Sequence, residues 1–339
     1  MTRNRTPGVS CQTARRTRPQ LRRLAWLPVL AAIGAAPLSA QAGLTFTTTF
    51  DTSVTAVAGA SAAINAALAE YSTLFSDNVN IKLKFVYSGT GLGTSSTASI
   101  GLDYANYYAA LLADASTADD ATAMARLAVD GTGVLNPVNA TGTLAQGRPA
   151  LKAMGMDAFY NIDAIFGYNN VNYFDGVIDL NLGIMNLDRI SIDLNKYDLK
   201  AVTQHEVDEV MGTISNVTQA DPRVVDLFRF DGAGNRSFTS NPGAASYFSI
   251  NGTTVLSQYN QTGSGDWGDW LSCPSGAATP QVQDACSTPG VTPNLGVEKT
   301  LLDVIGWDRI ASVNGVPEPG SLGLVGLALL GLSARRRKA

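Results

Sequence analysis

Both ends of this 339-residue chain carry a short apolar run beside basic residues, so folding is confined to the part between them. Residues 1–42 contain seven arginines and no acid, then the apolar run LAWLPVLAAIGAAPL, then the small-residue segment SAQAG. This order is typical of an export signal that signal peptidase removes, and we place the cleavage after Ala42. The alternative is a first transmembrane helix, but the run is short for a span and ends in a small-residue cleavage pattern. We therefore expect the folded domain to begin at residue 43 and to work outside the cytoplasm.

The C-terminal segment 313–339 has an equally ordered pattern: Pro-Glu-Pro at 317–319, an apolar run over about 320–334, and the basic cluster at 335–338. The run is just long enough for a transmembrane segment, and the basic residues hold its end on the cytoplasmic side. The segment resembles the PEP-CTERM sorting tail of Gram-negative bacteria. That resemblance implies a transient tether in the inner membrane, processing by an exosortase, and delivery to the cell envelope or the extracellular space. A retained membrane anchor is the alternative.

The part between the ends, residues 43–312, holds 13 basic and 27 acidic residues and has a net charge of −14. Such a surface repels nucleic acid and anionic membranes, so we expect no nucleic-acid partner. Two cysteines remain after export, Cys273 and Cys286, and they are close in sequence. An oxidising compartment favours a disulfide between them over two free thiols.

The hydrophobic patterns of residues 43–312 predict the α+β class. Helical spacing or strand-like alternation marks seven segments, which are helices over 53–77, 103–115, 118–130, 197–212 and 297–308 and strands over 79–88 and 176–183. The Gly/Ser/Thr-rich stretch 89–99 predicts a loop. We expect a core over about 43–215 and a turn-rich C-terminal subdomain over about 216–312.

Two segments of the C-terminal subdomain have specific patterns. YFSINGTTVLSQYN, residues 247–260, predicts a hairpin in which Asn251-Gly252 forms a tight two-residue turn. GDWGDW, residues 265–270, predicts a surface loop fixed by its tryptophans, with a contact to sugar or calcium as the alternative.

The only histidine of the chain, His205, opens the sequence HEVDE within the predicted helix 197–212. Residues four positions apart lie on one helix face, so His205 and Glu209 can bind one ion. Glu206, next to the first ligand, can then accept a proton from water whose pKa the metal lowers toward neutrality. This spacing permits a metal site, but the string alone more often marks a solvated acidic helix face.

The segment HEVDEVMGTIS resembles the metzincin signature H-E-x-x-H-x-x-G-x-x-H at His205, Glu206 and Gly212. It departs from that signature at Glu209 and Ser215, which replace the second and third histidines, and no methionine follows position 211. With DLFRFDGAGNRSF and LLDVIGWD downstream, the chain is more similar to a group of exported bacterial proteins with an H-E-x-x-E metalloprotease motif. The resemblance implies a metzincin-like metalloprotease core in which His205 and Glu209 bind the metal and Glu206 is the catalytic base.

A third metal ligand has to come from outside the helix and cannot be a histidine. Asp221 and Asp226 follow the helix closely enough for the chain to fold back, and we favour Asp226 over Asp221 and Asp231. Tyr247 and Tyr259 are candidates for completing the site. One imidazole and two carboxylates suit Zn²⁺, with Mn²⁺ or Ca²⁺ as alternatives.

The predicted function is therefore a secreted, metal-dependent peptidase that acts on protein or peptide substrates. The alternative is a non-catalytic protein of the cell envelope or biofilm matrix that carries a degenerate metal site. Bound metal is the property that distinguishes the two.

Overall fold

The computed structural model describes residues 43–131, 133–156, 173–274 and 276–310. The predicted signal peptide, 1–42, and the predicted sorting tail with its transmembrane segment, 313–339, lie outside the described residues. The described residues all belong to one compact unit, Gln41–Ala339. Among them, no helix is both long enough and apolar enough to cross a membrane.

The fold is a mixture of α-helices and small β-sheets. The helices are α1 (Thr52–Thr55), α2 (Ala60–Leu74), α3 (Tyr104–Asp114), α4 (Ala118–Asp130), α5 (Arg148–Ala153), α6 (Leu199–Asp208) and α7 (Glu298–Val304). The strands are β1 (Thr45–Phe50), β2 (Asn80–Tyr87), β3 (Gly93–Thr97), β4 (Ser99–Asp103), β5 (Thr143–Gly147), β6 (Gly176–Leu180), β7 (Met185–Asn186), β8 (Tyr197–Asp198), β9 (Arg229–Phe230), β10 (Tyr247–Phe248) and β11 (Ser257–Gln258). Short 3₁₀ turns lie at Leu182–Ile184 and Val224–Phe228.

The main sheet has four strands in the order β1-β2-β6-β3. The first three are parallel, and α1 and α2 form the crossover that a parallel β1-β2 pair requires. Strand β3 runs antiparallel to β6 at the edge of the sheet, with Ser95 opposite Ile178. The prediction of a loop over 89–99 was therefore wrong at its centre, because backbone pairing with β6 makes a strand of a segment that has no apolar alternation.

Helix α6 packs against α2, β3 and β6. A Cβ atom at Gly176 would lie 2.5 Å from a methyl carbon of Val210, so the glycine lets the sheet approach the end of this helix closely. On the other side, the Tyr71 hydroxyl donates to Asp208 Oδ1 at 2.6 Å, and its oxygen lies 2.9 Å from the carbonyl oxygen of Gln204. The helix that carries the HEVDE sequence is thus fixed on two sides.

One hydrophobic cluster includes side chains from before and after position 215, among them Phe85, Val207, Phe228 and Trp307. The indole Nε1 of Trp307 donates to the carbonyl oxygen of Met211 at 3.0 Å. The turn-rich part of the chain therefore packs onto the same core as the main sheet.

The C-terminal part confirms the disulfide and corrects the hairpin. Cys273 and Cys286 are bonded, with their Cα atoms 5.0 Å apart. Strands β10 and β11 pair as a hairpin, but the Asn251-Gly252 step is not a two-residue turn, because the paired positions nearest the loop are Phe248 and Ser257. The Asn251 side chain instead accepts hydrogen bonds from backbone N–H groups that follow it, which makes an Asx turn inside a longer loop.

Candidate metal centre

Helix α6 positions the first two candidate ligands. The Asp198 side chain accepts a hydrogen bond from the backbone N–H of Ala201 and caps the helix N-terminus. The chain then continues from α6 into a π-helical turn, Glu209–Thr213, in which Gly212 has φ 133°. Since a side chain is strained at that φ, the glycine permits the helix to end here. The predicted helix over 197–212 forms from Leu199 onward, as α6 and the π-helical turn, whereas Tyr197–Asp198 is strand β8. It brings His205 and Glu209 together.

The hydrogen bond of His205 fixes which ring nitrogen is available to a metal. Nδ1 lies 3.0 Å from the carbonyl oxygen of Val282, and a carbonyl only accepts, so Nδ1 carries the proton. The neutral ring therefore has its lone pair on Nε2, which lies 3.6 Å from Asp269 Oδ1. This is the usual arrangement of a metal-binding imidazole, whose second nitrogen donates to a backbone carbonyl or a carboxylate.

Two buried carboxylates complete the group. Glu209 Oε2 accepts a hydrogen bond from the Ser95 hydroxyl of β3 at 2.6 Å. Asp269 Oδ1 accepts from Gln283 Nε2 at 3.0 Å, and its Oδ2 accepts from the backbone N–H of Asp266 at 3.2 Å. Glu209 and Asp269 are 5% and 2% exposed, so a charge on either is largely removed from water.

His205, Glu209 and Asp269 each offer one ligand atom, and these atoms all lie within 4.8 Å of one another. Atoms bound to one tetrahedral zinc lie ~3.4 Å apart, because Zn–N and Zn–O bonds are about 2.1 Å long. The 3.6 Å between His205 Nε2 and Asp269 Oδ1 is already close to that spacing. One imidazole and two carboxylates also form a donor set that zinc accepts, so the residues fit the ion.

Glu206 lies beside this group and against the edge strand. It is 4% exposed, and a Cβ atom at Gly93 of β3 would lie 2.4 Å from Glu206 Oε1. Only glycine at that position leaves room for the carboxylate. The edge of the main sheet therefore passes directly over the candidate catalytic base.

A cleft of about 310 Å³ opens over these residues. Its lining comes from β3 and the residue before it, from α6 and the start of the π-helical turn, from the segment before the disulfide loop, and from the C-terminal end of that loop and the residue after it: Leu92, Gly93, Thr94, Ser95, Val202, His205, Glu206, Glu209, Gly265, Asp266, Asp269, Asp284, Ala285 and Ser287. Five of these residues are acidic and none is lysine or arginine. The cleft is consequently a region of negative potential.

The ionisation of the group reflects burial and mutual repulsion. Burial lowers the pKa of His205, but the charges of Asp269, Glu206 and Glu209 outweigh it and raise that pKa to about 10. Burial raises the pKa of Glu206 to about 7, and it also raises the pKa of Glu209 and of Asp269. Three buried carboxyl groups thus face a single imidazole, and a divalent cation would supply the missing positive charge.

Asp226, favoured from the sequence as the third ligand, is not in this group. Its carboxylate is fully engaged by the Ser215 hydroxyl, by the backbone N–H groups of Asn216 and Arg223 at 3.0 and 2.9 Å, and by Arg229. These hydrogen bonds connect Ser215 and Asn216, which follow the π-helical turn, to the 3₁₀ turn that contains Asp226. The carboxylate that lies with His205 and Glu209 is that of Asp269.

The other residues considered from the sequence also lie elsewhere. Asp221 accepts a hydrogen bond from Thr143, and Asp231 accepts from Ala233 and Asn235 in a turn. Tyr259 is buried with its ring 4.1 Å from the Arg229 guanidinium carbon, and neither it nor Tyr247 lines the cleft.

Asp269 was missed because GDWGDW looked like a surface loop. Trp270 does fix the segment, since it is only 1% exposed, but its burial also places the preceding residue, Asp269, inside the protein. A Cβ atom at Gly268 would lie 2.2 Å from the carbonyl oxygen of Thr213, so this glycine allows the segment to lie against the end of the π-helical turn. The Gly-Asp-Trp sequence places a glycine that allows close approach beside a carboxylate, and this was the signal that could have indicated Asp269 as a candidate ligand.

Comparison with known proteins identifies one segment of the chain. Residues 315–338 match the PEP-CTERM protein-sorting motif. The comparisons with curated proteins and with solved structures gave no match. The protein is therefore an exported bacterial protein that is tethered to the membrane by its C-terminal tail, processed by an exosortase and released to the cell envelope.

Proposed function

We propose that the protein is a metal-dependent peptidase, with Zn²⁺ as the metal and a metzincin-like arrangement of its site. The observation that carries the proposal is the convergence of His205, Glu209 and Asp269 within 4.8 Å beside the buried Glu206, on the wall of a cleft. Mn²⁺ and Ca²⁺ are the alternatives, since two of the three donors are carboxylates.

Each side chain has a separate role in this proposal. His205, Glu209 and Asp269 hold the ion, and Ser95 fixes the orientation of Glu209. A zinc ion held there would polarise a carbonyl group and lower the pKa of water toward neutrality. Glu206 accepts a proton from water and passes it to the leaving amine.

The edge strand provides a surface for an extended peptide. An edge strand has backbone N–H and C=O groups that no neighbouring strand pairs, and a peptide can add to it as a further strand. Leu92 to Ser95 line the cleft beside the candidate ligands. A peptide bound along β3 would therefore have its backbone next to Glu206, which favours a peptide over a compact small molecule as the substrate.

The substitution Glu206→Gln tests the catalytic role. The amide cannot accept the proton, but no ligand is removed, so we expect bound zinc to be unchanged and hydrolysis of a broad peptide library to fall about a hundredfold to ten-thousandfold. Glu70→Gln is the control, because Glu70 lies on α2, pairs with Lys200 and does not line the cleft. Equal turnover by wild type and Glu206→Gln would contradict the peptidase mechanism and favour the non-catalytic envelope or matrix protein.

A further inference from the structure

We propose that the disulfide-closed loop 273–286 is the positioning element of the metal centre, with Val282 and Gln283 orienting two of its three ligands. The proposal rests on the function proposed above, because it concerns the same ligands. The loop 273–286 lies outside the HEVDE sequence, and in this proposal it contributes to metal binding. The proposal also makes the disulfide a requirement for tight metal binding.

The contacts of two consecutive loop residues support this assignment. His205 Nδ1 donates a hydrogen bond to the Val282 carbonyl oxygen at 3.0 Å, and Gln283 Nε2 donates to Asp269 Oδ1 at 3.0 Å. The first contact directs Nε2 of the imidazole toward the cluster, and the second fixes the rotation of the carboxylate. One dipeptide therefore sets the orientation of ligands that come from two distant parts of the chain.

The backbone of the loop is tied to the segment that carries Asp269. The N–H of Trp270 donates to the carbonyl oxygen of Gln283 at 2.7 Å, and the N–H of Ala285 donates to that of Trp270 at 3.1 Å. The N–H of Cys286 donates to the Ser272 hydroxyl at 2.7 Å. These hydrogen bonds fix the position of Gln283 relative to Asp269.

The surroundings of Gln283 fit a positioning role. The residue is 0% exposed, and its Oε1 accepts no hydrogen bond from the described part of the chain. A buried amide whose carbonyl is unpaired is costly, so the hydrogen bond to Asp269 is the interaction that accounts for a glutamine at this position. Hydrogen bonds of this kind to metal ligands keep them in their binding geometry.

The disulfide limits the freedom of this loop. It joins two positions 13 residues apart, with Val282 and Gln283 near its C-terminal half-cystine. Without the bond, the loop could sample many conformations in which the two contacts are broken. Because the bond forms in an oxidising compartment, the metal centre would be completed after export.

The test measures zinc affinity by competition with a chelator on the exported, processed protein. Gln283→Met keeps the volume of the side chain and removes its donor, and we expect zinc to bind 10- to 100-fold more weakly while the thermal midpoint of the metal-free protein is retained. Gln281→Met is the matched control, since the Gln281 side chain is in the same loop and does not line the cleft. A purely structural role would lower the midpoint and leave zinc affinity unchanged.

A second variant, Cys273→Ser with Cys286→Ser, tests the disulfide without a thiol reductant, because thiols themselves bind zinc. We expect weaker zinc binding with a retained circular dichroism spectrum. The inference is overturned if zinc affinity equals that of wild type in either the disulfide variant or a folded Gln283→Met. A wild-type protein that binds no metal would instead overturn the proposed function, so the two failures are distinguishable.

Discussion

At the scale of single residues, Asp226 and Asp269 are both buried, but their partners differ. Asp226 is engaged by a hydroxyl, two backbone N–H groups and Arg229, so its charge is compensated within the protein. Asp269 faces His205 and the acidic cleft and receives its side-chain hydrogen bond from the neutral Gln283. We therefore assign a structural role to the first and a ligand role to the second.

This assignment predicts opposite results for two matched substitutions. Asp269→Asn should lower zinc affinity by at least tenfold, since it replaces a charged ligand with a neutral one. Asp226→Asn should leave zinc affinity unchanged and lower thermal stability, because Arg229 then remains buried without a charged partner. Titration with zinc and thermal denaturation of both variants measure the two effects, and weaker zinc binding in Asp226→Asn alone would reverse the assignment.

Sequence reasoning reached His205, Glu206 and Glu209 because helical spacing is local: residues four apart share a face wherever the helix lies. It could not select Asp269 over Asp226. Proximity along the chain favoured Asp226, whereas Asp269 is brought beside His205 by the tertiary packing of Gly268 and Trp270.

At the scale of elements, the edge strand β3 lies directly against the site and was not predicted. Its sequence, GTSST, contains glycine and small polar residues, which give no clear strand pattern. Pairing with the buried strand β6 forms it, and this long-range contact has no local signal. In contrast, α6 and β6 were predicted because their apolar residues repeat with the helical and strand periods.

The close approach of β3 to α6 leads to a prediction for Gly93→Ala. The added Cβ atom would lie 2.4 Å from Glu206 Oε1, so the carboxylate has to move away. We expect hydrolysis to fall at least tenfold with bound zinc unchanged, since Glu206 is not a ligand. Gly101→Ala is the control, because a Cβ atom at Gly101 of β4 meets nothing within 4 Å. Full activity of Gly93→Ala in a peptidase assay would show that the position of Glu206 is not critical.

At the scale of the whole molecule, the folded domain contains several buried or half-buried carboxyl groups with raised pKa values. Burial is the main cause in each case, and it raises the pKa of Asp77, Asp114 and Asp303 to about 7 and that of Asp284 to about 6. Glu206, also at about 7, belongs to the same set. These groups hold their protons more tightly in the folded than in the unfolded chain.

The pH dependence of stability follows from this difference. A group whose pKa is raised on folding stabilises the protein below its unfolded pKa, about 4 for a carboxyl group, and this contribution is lost as the pH rises through the folded pKa. The raised pKa of His205, about 10, also makes the folded state less stable as the pH rises above ~6.5. We therefore expect the thermal midpoint of the metal-free protein to fall as the pH rises from about 5 to 8.

Bound zinc should counteract this fall of the thermal midpoint with rising pH. Its ligands have to be deprotonated, so zinc binds more tightly at higher pH. The rise in thermal midpoint on adding zinc should thus be larger at pH 8 than at pH 5. Thermal scans with a chelator and with excess zinc measure both quantities. A metal-free protein that becomes more stable between pH 5 and 8 would contradict the ionisation described for the buried carboxyl groups.

The most direct test of the metal centre is the metal content of the exported protein, measured by elemental analysis after supply of zinc, manganese and calcium. We expect about one metal ion per chain in the wild type, as for a site with three protein ligands. His205→Ala should contain none, because the chain has no second histidine to replace the lost ligand. A folded wild-type protein without metal, or equal metal content in His205→Ala, would contradict the account.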